Sequence, residues 1–346
     1  MLEVTEYRRH IPWLYLTIAG GVIALLTALI LTPRQVMSTA EFVLRGLLGI
    51  APLVIPGIVL AAWVSASGAG ARIADVFNGR IFYTTVVASL IGAVTPVCGV
   101  TVLPLMAGLL ASGVPLAPIM AFWLSSPVTD PAMFATTAAT LGLPFAVGKT
   151  IAAFALGMFG GLATIVVSDQ AWTRQPLRNN GIADTLGRGA CSGVESFDAA
   201  VWRTPDRRQQ FWADVKATTR LILICLIPAF AAEYWLNAAL QPEALSGYVG
   251  EDVWWAIPFA VLVGAPAYLD GYAALPLTRG LIDHGMSVGA AMAFLVSGGV
   301  VSIWGAMAIF PVIKFKPFLL YLGLAVTGSM MAGWVYGAVA PLLDAV

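Results

Sequence analysis

The sequence predicts an all-α polytopic membrane protein built from two internal repeats, read as inverted, with Pro/Gly-broken helices and about 9–11 membrane segments. Three observations predict it. Of the 346 residues, 59% are hydrophobic and only 10% are charged, against roughly 25% charged in an ordinary soluble domain. The apolar residues gather into runs long enough to cross a bilayer. The chain also matches itself at a shift of 172 residues, prolines and glycines included. Lys+Arg 18 balances Asp+Glu 18, which argues against a basic nucleic-acid binder. Composition this apolar equally excludes a soluble globular enzyme and a disordered chain.

The elements follow in order. Residues 1–42 hold a short polar tail and a first transmembrane helix. Its apolar run from Ile11 to Leu31 would be about 31 Å long as a helix. Glu3 and Glu6 precede Arg8 and Arg9, unlike the basic start of a signal peptide, so the helix is read as retained. Residues 43–167 form the first repeat, with apolar segments near 43–66, 81–112, 116–140 and 143–167. A polar linker occupies 168–216, and the second repeat, 217–346, has segments near 217–240, 253–285, 287–313 and 317–340. Segments 81–112 and 253–285 exceed one straight crossing and carry Pro96, Gly99 and Pro104, or Pro266, Gly271 and Pro276. Proline removes a backbone donor and clashes within a helix, so both should be broken.

The self-match is densest where Leu103-Pro104-Leu105 falls on Leu275-Pro276-Leu277 and Met120-Ala121-Phe122 on Met292-Ala293-Phe294. Gly108, Gly113 and Ser125 fall on Gly280, Gly285 and Ser297; Pro56, Gly92 and Gly161 meet Pro228, Gly264 and Gly333. Repeats with discontinuous helices are a transporter signature. Basic residues favour the cytoplasmic side. Arg8 and Arg9 put the N-terminus inside, and Arg174, Arg178, Arg188, Arg203, Arg207, Arg208 and Lys216 do the same for the linker. The first repeat then makes an odd number of crossings, and the second is inverted. Arg34 and Arg45 run against this scheme.

Polar groups at membrane depth are costly and mark function. In Thr95-Pro96-Val97-Cys98-Gly99-Val100-Thr101, a helix break frees backbone groups that must face a partner or a polar cavity. Thr95, Pro96, Cys98 and Thr101 are substrate-binding candidates there; a kinked helix with self-bonded hydroxyls is the structural alternative. In Ser125-Ser126-Pro127-Val128-Thr129-Asp130-Pro131, the three hydroxyls of Ser125, Ser126 and Thr129 are candidate contacts, and Asp130 is a coupling or proton-carrying carboxylate. Asp before Pro is equally a helix N-cap, and one residue can do both. In Gly264 to Tyr272, the repeat partner of the first motif, Asp270 is the second coupling candidate, with Tyr268 and Tyr272 beside it and Ser297 completing the set. Arg279, Asp283 and His284 are spaced to share a helix face, most simply as an interfacial ion pair.

Cys98, Cys191 and Cys225 form no zinc pattern, and no Gly-rich phosphate loop or Ser/His/Asp triad is visible. No metal, cofactor or nucleic acid is expected. The partners are a small-molecule or ion substrate and the lipid bilayer, with a homo-oligomer left open. A channel or the membrane subunit of a larger complex is the alternative to a permease; an intramembrane enzyme is less expected.

The motifs resemble the predicted-permease family that includes the bacterial organoarsenical efflux permeases. That family carries Pro-x-Cys-Ser-Cys, Pro-Leu, a glycine and Phe-Leu-x-x-Ser-Pro; here stand Pro96-Val97-Cys98, Pro104-Leu105, Gly113 and Phe122-Trp123-Leu124-Ser125-Ser126-Pro127. Its second half has Gly-x-Pro-x-Tyr, Pro, Gly and Ala-Phe, matched by Gly264 to Tyr268, Pro276, Gly285 and Ala293-Phe294. The family's second cysteine is Val100 here, and its Asn after Ser-Pro is Asp130. The resemblance implies a bacterial inner-membrane permease, with efflux of an organoarsenical or related soft species as the finer expectation; the absence of a nucleotide-binding signal points to secondary alternating access. Paired thiolates grip such a species well; a single Cys98 grips it less.

Overall fold

The computed structural model describes residues 33–69, 80–95, 102–111, 113–178, 197–239, 250, 253–264, 274–301, 305–306 and 309–343. The chain divides into two compact units, Met1–Gly49 and Ile50–Val346. In the first, the described residues are helical from Pro33, with an exposed Glu41–Arg45 ion pair one turn apart. In the second, helices alternate with short breaks, and the described residues contain no strand, only an isolated bridge between Leu177 and Ile313.

The helices, in chain order, are α1 (Pro33–Ser67), α2 (Ile81–Val94), α3 (Leu103–Ala111), α4 (Leu116–Ser125), α5 (Pro131–Leu141), α6 (Leu143–Val166), α7 (Ala171–Arg174), α8 (Pro205–Ala239), α9 (Ala256–Gly264), α10 (Ala274–Asp283), α11 (Val288–Val300) and α12 (Phe315–Leu343). Among the described residues three are long and apolar enough to cross a membrane, α6, the Pro205–Ala232 part of α8 and Phe315–Leu342 of α12, and α1, bent by 54° between Gly49 and Val54, makes a fourth if it is one span. Helices α2, α4 and α11 are apolar but too short to cross alone. The many segments expected from hydropathy are therefore a few full crossings among the described residues, with half-length pieces between them.

Helix α6 serves as a ruler for the pieces before the linker. A Cβ on Gly161 would stand 2.9 Å from Ala121 Cβ and 3.4 Å from Ala117 O, and one on Gly157 would stand 2.9 Å from Ser125 Cβ. So α4 runs antiparallel to α6 and reaches only about midway along it. Thr85 lies at Gly161 and Ser89 at Gly157, with Ser89 Oγ donating to Phe154 O at 2.7 Å. Helix α2 therefore starts at the same end as α4. Only four residues separate Ala111 from Leu116, so α3 must return to that end. Helix α2 thus leaves from that end and α3 finishes at it, so the two are not one straight crossing.

After the linker the pattern starts from the opposite end. Gly289 abuts Gly333 and Gly337, while Tyr321 Oη donates to Val300 O at 2.6 Å, so α11 runs antiparallel to α12. Ile257 lies at Gly333, and Gly264 lies against Phe294 and Ser297, so α9 parallels α11. Helix α10 ends four residues before α11, and Gly250 lies beside Gly285 O at the same end. Gly148 against Tyr336 and Gly328 against Leu156 make α6 and α12 antiparallel, which sets the α2–α3 and α9–α10 pairs at opposite ends of the bundle. The tight returns at Gly113 (φ +90) and Gly285 (φ +100) use backbone angles that glycine adopts without strain.

The polar stretch is fastened at both described ends. Arg178 N donates to Val312 O at 2.9 Å, Lys314 N donates to Pro176 O at 2.7 Å, and the Arg178 guanidinium lies over the Phe310 ring. At the other end Asp198 N and Arg207 Nη1 donate to Ser67 O, and Ser65 Oγ donates to Asp214 at 2.7 Å. Val201 and Phe211 bury there against Ala62 and Ala66.

Glycine-mediated contact between helices is thus the main packing device, since lipid supplies little hydrophobic drive between helices. Gly157→Val, whose Cβ would stand 2.6 Å from Ala121 O, should lower the thermal unfolding midpoint in detergent, at a cost of about 1–3 kcal/mol. Gly323→Ala, which meets open space, should not lower it. Equal midpoints for the two would sink this account of the packing.

Candidate functional site

The break between α4 and α5 lies midway along α6. Helix α4 ends where Pro127 forbids its continuation, with Ser126 as C-cap. Helix α5 begins at Pro131, a position where the missing N–H is not needed. Asp130 is its N-cap: Ala132 N and Met133 N donate to Asp130 Oδ1 at 2.8 and 2.9 Å. Ser125, Ser126, Thr129 and Asp130 are all buried. The capping expectation for Asp130 is met, and the carboxylate remains within the bundle interior.

A second helix end meets this break. Gly299, near the end of α11, lies so close that a Cβ there would stand 2.6 Å from Pro127 O. Only a residue without a side chain permits that approach. The motif at 125–131 and the end of α11, which carries Ser297, are therefore brought together through Pro127, Val128 and Gly299. Thr95 joins them indirectly: Gly92, one turn before it, abuts Ser125 and Phe122 O, just as Gly264 abuts Ser297 and Phe294 O. Pro96, Cys98, Thr101, Tyr268, Asp270 and Tyr272 lie outside the described residues.

The hydroxyls divide into spent and unspent. Thr95 Oγ1 donates to Ile91 O at 2.6 Å, Ser125 Oγ to Ala121 O at 2.9 Å, and Ser297 Oγ to Phe294 O at 3.1 Å. These three return to their own helices. Ser126 Oγ has no hydrogen-bond partner although the residue is only 3% exposed.

Several residues at the break were not singled out from the sequence. Trp123 is fully buried, stacks at 5.0 Å on Tyr321, and leaves its indole N–H without a partner. Thr137, one turn beyond Met133 on α5, is buried with its hydroxyl unpartnered. Lys149 is 2% exposed inside α6; Nζ lies 3.2 Å from Met133 Sδ and feels the charge of Asp130. A signal existed: Lys149 is the lone charge between 131 and 168, and the shift of 172 places it on Tyr321.

Other features lie apart from the break. Arg279 and Asp283 pair at 3.0 Å with both side chains about half exposed, as the simple ion-pair reading expects. A cavity of about 730 Å³ lies between α6 and α12, lined by residues such as Val147, Ile151, Gly328 and Val335, and holds none of the predicted site residues. No group of three or more metal-ligating side chains occurs among the described residues.

Comparison with known proteins bears on what such a break is for. The family model ArsP_1, described as predicted permease, matches residues 35–338. The chain belongs to this family. Among relatives of the predicted permease, the UPF0718 protein MJ0584 of Methanocaldococcus jannaschii is 23% identical over 303 residues, covering 75% of this chain and 82% of that protein. The UPF0718 protein YraQ of Escherichia coli K12 is 25% identical over 264 residues, covering 75% and 68%. No solved structure matches the permease. Family and apolar helices together support a membrane protein with a transporter role.

Asp130 can be tested as cap and as charge separately. Asp130→Ala should cost about 0.5–2 kcal/mol of stability, and Asp130→Asn only a few tenths, because Asn caps as well as Asp. Thermal unfolding of both variants checks this; equal losses would mean that the cap is not what the side chain contributes.

Proposed function

We propose that the permease moves a small solute across the bacterial inner membrane by secondary alternating access between two inverted repeats. The observation that carries this reading is the meeting of two interrupted helices, at Pro127 and Gly299, midway through an apolar bundle. Interrupted helices at membrane depth need protein or a cavity around them, and in transporters they hold the substrate.

Several features support the repeat. Helices α4 and α11 start at 116 and 288, and α6 and α12 at 143 and 315, each pair 172 residues apart. The left-handed glycines 113 and 285, and the Gly92–Ser125 and Gly264–Ser297 contacts, keep the same spacing. The α2–α3 and α9–α10 pairs enter from opposite ends, as inversion requires. The basic residues of 168–216 favour the cytoplasmic side for that stretch.

Within this reading the site comprises 95–104 and 125–131 from one repeat and 266–272 and 297–302 from the other. Thr95, Pro96, Cys98, Thr101, Ser125, Ser126, Thr129, Tyr268, Tyr272 and Ser297 line it, and Asp130 or Asp270 carries the coupling charge. Cys98 suits a soft species such as a trivalent organoarsenical, exported at the expense of an ion gradient.

Cells lacking their own arsenic pumps, given trivalent methylarsenite at two external pH values, should accumulate less arsenic with the wild-type protein than with empty vector. Cys98→Ala should abolish the difference, and Asp130→Asn should remove its pH dependence. Accumulation equal to empty vector, with the protein present in the membrane, would end the organoarsenical reading and leave the permease without that substrate.

A further inference from the structure

The unmet polar groups of the described bundle are not spread evenly. Among the described residues, the buried side-chain atoms without a hydrogen-bond partner are Trp123 Nε1, Ser126 Oγ and Thr137 Oγ1. Trp123 and Ser126 lie at the end of α4 where the break begins, and Thr137 lies two turns beyond it on α5. Trp123 and Ser126 are three apart and share a face of α4. Lys149 belongs with them: an ammonium carries three donors, and its one hydrogen bond among the described residues goes to the thioether of Met133, a weak acceptor.

The corresponding positions after the linker are different. At a shift of 172, Trp123, Ser126 and Thr137 become Leu295, Gly298 and Ile309, which have no side-chain polar atoms. Lys149 becomes Tyr321, whose hydroxyl is spent on Val300 O. Helix α11 thus packs on α9 and α12 as α4 does on α2 and α6, with no unpaired side-chain polar group at these four positions. The four groups are not needed for that packing. Each unpartnered buried polar atom costs about 1–3 kcal/mol, a burden that a ligand would relieve.

The chemistry of the four is one-sided. Indole N–H and ammonium are donors only, and the two hydroxyls can donate. Asp130 is the acid nearest in charge to Lys149, yet its Oδ1 is committed to two backbone N–H groups at the positive end of α5. What remains around the break is a surplus of hydrogen-bond donors, one of them the ammonium of Lys149.

We propose that the break at 126–130 binds a small anion through its oxygen acceptors, with Lys149 supplying the charge and Trp123 and Ser126 the directional hydrogen bonds. The inference rests on the permease reading and names the substrate class of its site: oxygen acceptors are read by the first repeat, whatever Cys98 adds for a soft centre.

The test uses purified full-length protein in detergent, titrated at constant ionic strength with methylarsonate, methylphosphonate, sulfate and acetate against chloride. Thermal midpoint is the readout, because a ligand that binds only the folded state raises it saturably. At least one of these anions should do so. Lys149→Met should weaken the apparent affinity by about tenfold or more, and Ser126→Ala and Trp123→Phe by about threefold to tenfold, as expected for charged and neutral hydrogen bonds. Thr327→Val, on the exposed side of α12, should leave it unchanged. If Lys149→Met does not fold, Lys149→Arg and the other two variants decide. No saturable rise with any of the four anions, or a rise of unaltered affinity in Ser126→Ala and Trp123→Phe, overturns the inference. Proteoliposome flux of methylarsonate and of neutral trivalent methylarsenite separates the two readings. Flux of methylarsenite without anion binding removes the anion site and leaves the permease. Anion binding that is lost in the variants, with flux of neither compound, supports the site and counts against the permease.

Discussion

A helix interrupted inside an apolar bundle leaves backbone donors and acceptors that hydrocarbon cannot satisfy. The rest of this structure is arranged around that constraint. Pro127 ends α4 and Pro131 starts α5, and the free amides of Ala132 and Met133 in the first turn of α5 are taken up by Asp130. The remaining surface of the turn is closed by Gly299, whose missing side chain lets a second helix end lie on Pro127 O. Neither interruption would be tolerable alone against lipid.

From this contact outward the bundle is glycine against side chain. Gly92 and Gly157 close on Ser125 from two sides, Gly264 closes on Ser297, and Gly289 meets Gly333 and Gly337 backbone to backbone. Such surfaces are smooth, and dispersion over close contact holds them rather than water exclusion. The polar groups are correspondingly few, and each that returns to its own helix, like Thr95, Ser125 and Ser297, removes a reason for the neighbouring helix to be fixed.

Much of this was legible in the sequence, for definite reasons. Prolines at 127 and 131 cannot sit in one regular helix, so the break at 125–131 was bound to exist, and Asp before Pro announced the cap. The matched glycines 113 and 285 stand where the structure needs a left-handed residue. Hydropathy could not tell that α3 finishes at the end from which α2 leaves, because a returning pair of helices and a long crossing have the same apolar length. Nor could it tell Ser125 from Ser126: one position along a helix rotates a side chain by about 100°, which sends one hydroxyl to Ala121 O and leaves the next with nothing. Lys149 was hidden by the apolar run around it, where one charge hardly alters an average, although its own cost in that setting was the clue. The cysteine and Asp270 motifs lie beyond the described residues, and their reading stands on the sequence.

The polar linker has a consequence of its own. Its beginning, which issues from α6, is stitched to 309–314, ahead of α12. Its end, which leads into α8, is stitched to the last turn of α1. The lacing is crossed: each half of the chain is held by the strand that departs from the other. In the proposed alternating access, rocking of the halves would pull on the backbone hydrogen bonds of Pro176 and Arg178 and on those of Ser67. The linker would then act as a check-rein on the amplitude of that motion, tying its sequence to the proposed transport stroke.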